Sequence, residues 1–102
     1  MIARTSPPPP RVIAVDVDGT LHTAGICNAR LIAWCNQQKQ VGFSLMLWSS
    51  RGEAHARRVA DHCGVADLFD VICSKPGYVV DDKGWGWIKY TRVISSLSEV
   101  VA

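Results

Sequence analysis

Short apolar runs alternate along this chain with longer stretches whose apolar residues recur at helical spacing. Val12-Ile13-Ala14-Val15 is continuous and β-branched, the pattern of a parallel strand buried on both faces. Phe43 to Trp48, Phe69 to Cys73 and Tyr78 to Val80 repeat it, so four strands are predicted. Asn28 is placed to cap a helix running to about Gln40, with Leu31, Ile32, Trp34 and Cys35 as its apolar face and Gly42 as its stop. A second helix is predicted over Glu53 to Cys63, with Ala54, Val59 and Ala60 inward and Gly64 at its end. A closing helix is predicted from Trp87 to about Val100, with Ile88, Val93, Ile94 and Leu97 near helical spacing. Strands alternating with helices imply an α/β fold with a parallel sheet and right-handed crossovers.

Composition narrows the class. At 102 residues and 48% apolar content the chain makes one small domain with a real core. Residues 1–10 end in four prolines and read as a polyproline or disordered tail ahead of a domain spanning 11–102. A net charge of +2 argues against a strongly basic nucleic-acid face and against an acidic disordered chain. The four cysteines, Cys27, Cys35, Cys63 and Cys73, form no Cys-x-x-Cys pair, which predicts reduced thiols in a cytoplasmic protein. No secretory apolar region and no run of membrane-spanning length is visible.

Chemistry enters at the strand ends. In open α/β sheets, function sits beyond the carboxyl ends of the strands. Three of the four predicted strands end in polar or acidic residues: Asp16, Ser49, and Asp81 with Asp82. A carboxylate such as Asp16 can attack phosphorus and split one displacement into two easier ones. Asp18 is placed to move a proton to the leaving oxygen and later from water. Gly19 permits the tight turn that brings Asp18 back over Asp16. A calcium loop of the EF-hand type would need a glutamate at its twelfth position, which Cys27 occupies here.

The segment Asp16-Val17-Asp18-Gly19-Thr20-Leu21 resembles, without gaps, the first motif of the haloacid dehalogenase-like (HAD) superfamily, Asp-x-Asp-Gly-Thr-Leu. Ser49 resembles the hydroxyl residue after that family's second strand. Lys75 in Ser74-Lys75-Pro76 resembles its lysine motif, and Asp81-Asp82 its acidic fourth motif. The resemblance implies Asp16 as nucleophile, Asp18 as acid and base, and Ser49 with Lys75 on the transferring phosphoryl group. Gly19, Thr20, Ser50 and Arg51 would line the substrate. Mg²⁺ would be held by Asp16 and Asp82, by Asp18 through its backbone carbonyl, and with Asp81 close by. The implied fold is a Rossmann-like three-layer domain with strand order 3-2-1-4. No cap domain is expected, because few residues separate Leu21 from the first helix.

The implied activity is Mg²⁺-dependent hydrolysis of a phosphomonoester, since the second acid is kept and an open site favours water as acceptor. The expected partner is a small phosphorylated molecule, with no membrane and no nucleic acid, and a second copy could cover the open site. The alternatives are a phosphatase acting on a nucleic-acid end or a phosphoprotein, and a non-catalytic metal-binding protein. Among the remaining residues, Trp34 and Trp48 read as core, Trp85 and Trp87 as packing under the last helix. His22 could contact substrate, while His55 and His62 read as partly exposed helix residues.

Overall fold

The structure is a computed structural model, described for residues 8–95. Strand β1 spans Val12–Asp16, and a small antiparallel hairpin follows as β2, His22–Thr23, and β3, Ile26–Cys27. Helix α1 covers Ala29–Gln40, β4 Ser44–Ser49, α2 Glu53–His62 and β5 Val71–Ser74. Single 3-10 segments occupy Ala66–Leu68 and Gly84–Tyr90.

The sheet is parallel, in the order β1-β4-β5. Its register aligns Val15 with Leu47, and Leu47 with Ile72. Side chains alternate across a sheet, so these three share one face. All three are buried, together with Leu31 and Cys35 of α1 and Ala56, Val59 and Ala60 of α2. Two successive right-handed crossovers that step in the same direction put their helices on the same side of a sheet. Both helices accordingly feed one core.

The other face is more open. Val12, Ala14 and Val71 are exposed there, and Met46, Trp48 and Cys73 are half-buried. The expectation of strands buried on both faces is therefore corrected. Among the described residues the domain has two layers, not three. A second helix layer needs a strand that steps the opposite way from β1, and the described residues contain none.

The expected fourth strand is not formed. Tyr78 to Val80 carry no regular structure, and Tyr78 and Val80 are 95% and 103% exposed. Chain geometry gives the reason. A parallel neighbour of β1 requires a crossover of roughly a dozen residues, and only Lys75, Pro76 and Gly77 separate β5 from Tyr78. The fourth position of the expected order 3-2-1-4 stays unfilled among the described residues. The closing helix is also absent as far as it can be followed. Gly84–Tyr90 is 3-10, residues 91–95 are irregular, and the rest of that prediction lies outside the described residues, as does most of the proline-rich tail.

The helices agree with the sequence at their ends. The Asn28 side chain accepts a hydrogen bond from the Leu31 N–H at 3.1 Å, the expected cap. Gly42, at φ +101°, turns the chain out of α1. In α2 Val59 and Ala60 are buried as expected, but Ala54 is exposed and Ala56 is buried in its stead. Cys27 and Cys63 are joined in a disulfide, which replaces the expectation of four reduced thiols and ties β3 to the end of α2. Cys35 is a core group whose thiol burial pushes up to about 11. No helix among the described residues is long and apolar enough to cross a membrane.

Candidate active site

Strand β1 delivers Asp16 to the carboxyl edge of the sheet, opposite Trp48 of β4. The chain then turns sharply. Thr20 N–H and His22 N–H both donate to the Val17 carbonyl, at 3.2 and 3.1 Å, and Gly19 N–H donates to His22 at 3.0 Å. Val17 and Leu21 are sunk into the core at 0% and 1% exposure and pin the loop at both ends. Gly19 has φ +81°, a left-handed conformation that a Cβ strains. Asp18, between these anchors, is left at the surface.

Asp16 is held at both oxygens. Lys75 Nζ donates to Oδ1 at 2.9 Å, and Thr20 Oγ1 donates to Oδ2 at 3.1 Å. Lys75 is placed by its own backbone, whose N–H donates to the Ser49 carbonyl at 2.9 Å and continues the β4–β5 ladder by one step. Its ammonium also lies 6.0 Å from the centre of the Trp48 ring. This pairing, across 59 positions of sequence, brings together two of the expected residues.

Asp18 faces different neighbours. His55 Nε2 lies 3.1 Å from each of its carboxylate oxygens, and Arg51 Nη1 lies 3.6 Å from Oδ1. The hydrogen bond from His55 first, then the positive charges around it, hold the Asp18 carboxyl below its ordinary value. Arg51, expected to touch substrate, is thus an exposed ion-pair partner of Asp18. Thr20, also expected at the substrate, instead orients Asp16.

Ser49 is 1% exposed, and its hydroxyl accepts the Arg51 N–H at 3.0 Å. In this arrangement it closes its own turn at the end of β4 and is not open to a ligand. Ser50 is exposed in the same turn. Asp81 and Asp82 are exposed in the irregular segment, where Asp81 Oδ1 accepts the Lys83 N–H at 2.8 Å. Among the described residues, no three His, Cys, Asp or Glu side chains gather in a way that could hold a metal ion. The expected set of Asp16, Asp18, Asp81 and Asp82 is not assembled, because the missing fourth strand was to carry its second half. Mg²⁺ takes one or two carboxylates in a strict octahedron. As arranged, Asp16 is engaged by Lys75 and Thr20 and Asp18 by His55 and Arg51.

Sequence reasoning missed His55. It was read as a partly exposed helix residue, yet its side chain is 14% exposed and points at Asp18. A lone histidine within a helix carries no local signal of this; only the placing of the first turn of α2 beside the loop after β1 supplies the partner. His62, by contrast, is exposed, with its ring against His22 at 5.6 Å. Trp85 is 66% exposed and lies 6.2 Å from Trp87, so the pair is not core. Trp34 and Trp48 are half-buried, Trp34 against the core. No protein-family model, no curated protein and no solved structure matches this chain.

Proposed function

We propose that this chain is a minimal, capless HAD-like phosphatase that hydrolyses a phosphomonoester through an aspartyl-phosphate at Asp16. The observation that carries the reading is the Lys75–Asp16 contact at 2.9 Å beside Asp18, at the end of a parallel strand. In the proposed reaction an Asp16 oxygen bonds to phosphorus as the bond to the leaving oxygen breaks. Asp18 gives that oxygen its proton. Asp18 then takes a proton from water, which attacks phosphorus, breaks its bond to Asp16 and releases phosphate. The Lys75 ammonium offsets the charge that gathers on the phosphoryl group.

Asp18 is ionised in the arrangement described, which suits the second step. The first step needs it protonated, and an incoming phosphate dianion raises a neighbouring carboxyl in the required direction. Mg²⁺ is proposed as cofactor on the sequence resemblance. No step is derived through it, since loading it calls for a rearrangement that brings Asp81 or Asp82 to Asp16.

The substrate class is a small phosphorylated molecule, and the proposed setting is the cytoplasm. A reducing cytoplasm would hold Cys27 and Cys63 largely as thiols. A phosphorylated macromolecule is the second reading, favoured by the exposure of Asp18 and Arg51, 44% and 66% at the side chain. The non-catalytic reading draws on the scattered acids.

The test is turnover of a panel of phosphomonoesters, phosphopeptides and phosphorylated oligonucleotides, with Mg²⁺ and after chelation. We expect hydrolysis that chelation abolishes and that Asp16→Asn lowers by at least about 100-fold. Full activity in Asp16→Asn, or no turnover by the wild-type protein, sinks the reading.

A further inference from the structure

His55 stands in the first turn of α2 and is the most shielded polar contact that Asp18 has. Asp18 itself lies on a turn outside the strand and is 44% exposed at the side chain. A carboxylate so exposed samples several rotamers unless something restrains it. Two groups do. Arg51 is 66% exposed and 3.6 Å away, a solvated ion pair of the kind that restrains little. His55 is 14% exposed, and its Nε2 is equidistant from the two Asp18 oxygens at 3.1 Å. One N–H shared between both oxygens fixes the direction of the carboxyl group as well as its distance. The helix that carries His55 is itself anchored by Ala56, Val59 and Ala60 in the core.

We propose that His55 is a positioning residue for Asp18. Its Nε2–H holds the carboxyl group in the orientation from which a proton is passed to and from the group reacting at Asp16. The inference rests on the phosphatase reading for its catalytic consequence. It does not require His55 to change its own protonation, because the neutral Nε2–H tautomer already donates.

The test compares wild-type protein with His55→Ala and His55→Gln, each checked for native circular dichroism. kcat and KM are measured separately on the best phosphomonoester of the panel. His55→Ala should lower kcat by roughly 10- to 100-fold with KM little changed, the loss expected when a reacting group is misplaced. His55→Gln should recover much of it, since its amide nitrogen can donate from about the same reach. A purely structural role would lower thermal stability in both variants without that split. Nitrogen-15 spectra of the imidazole give an independent reading. Nε2 should be protonated in the wild-type protein, and its signal should shift in Asp18→Asn. A folded His55→Ala with unchanged kcat overturns the proposal, as does an unprotonated Nε2 or one indifferent to Asp18→Asn. Wild-type protein without turnover counts against the phosphatase reading instead, and the spectra then decide alone whether His55 holds Asp18.

Discussion

Asp16 and Asp18 have a single residue between them and yet meet different surroundings. Asp16 lies against Lys75 and Thr20, Asp18 against His55 and Arg51. The turn after β1 produces that division by burying Val17 between them and by letting Gly19 take a positive φ. Space is no obstacle to a larger residue at Gly19, since an added Cβ would meet nothing within 4 Å. The cost of Gly19→Ala is therefore conformational, about 1–2 kcal/mol. Urea denaturation should show that loss, and the variant should lose turnover beyond what its stability explains, because the turn sets where Asp18 points. Wild-type stability in Gly19→Ala would contradict the strain argument. Asp16 and Asp18 were legible as residues because acids at a strand end stand out in an apolar pattern, whereas Lys75 was legible only through its resemblance to a family motif. His55 was not, because its meaning comes from a residue 37 positions away.

Helices α1 and α2 were legible nearly to the residue. Asn28 supplies a cap and Gly42 an exit, both local signals that act within a turn of the helix. On the inward face of α2, Val59 and Ala60 are buried as expected, and only the first position was misplaced, at Ala54 instead of Ala56, because alanine carries too little apolar surface to mark a face. The Cys27–Cys63 disulfide was invisible for a related reason: spacing along the chain says nothing of the 5.8 Å between the two Cα atoms. It closes a segment with a sequence separation of 36. Reduction, or Cys27→Ser, should lower stability by about 3–4 kcal/mol on the chain-entropy account. Thermal melts with and without a phosphine reductant check this, and identical melts for the wild-type protein under both conditions would refute it.

The described residues leave apolar surface uncovered. Tyr78, Val80, Trp85, Tyr90 and Val93 are each more than half exposed, and β1 has no partner on its outer edge among the described residues. An open edge and exposed large apolar side chains are features that association covers. Sedimentation should accordingly show a concentration-dependent dimer. The double substitution Tyr78→Asp with Val80→Asp should return it to monomer; a wild-type monomer across the accessible range would contradict this. The sequence by itself determined the local matters: the three strands of the parallel sheet and the two α-helices up to Ser74, though not the hairpin at His22 to Cys27, which reads as a loop; where α1 is capped; and Asp16 at the end of β1. Those depend on periodicity and on side chains acting within a few residues. Tertiary structure alone decided what faces what. It placed Lys75 on Asp16, turned His55 to Asp18, joined Cys27 to Cys63 and left Tyr78 to Asp82 undocked. Each of these depends on how far a backbone can reach once its neighbours are packed. Three residues after β5 are too few for a parallel crossover, however strand-like the residues beyond them.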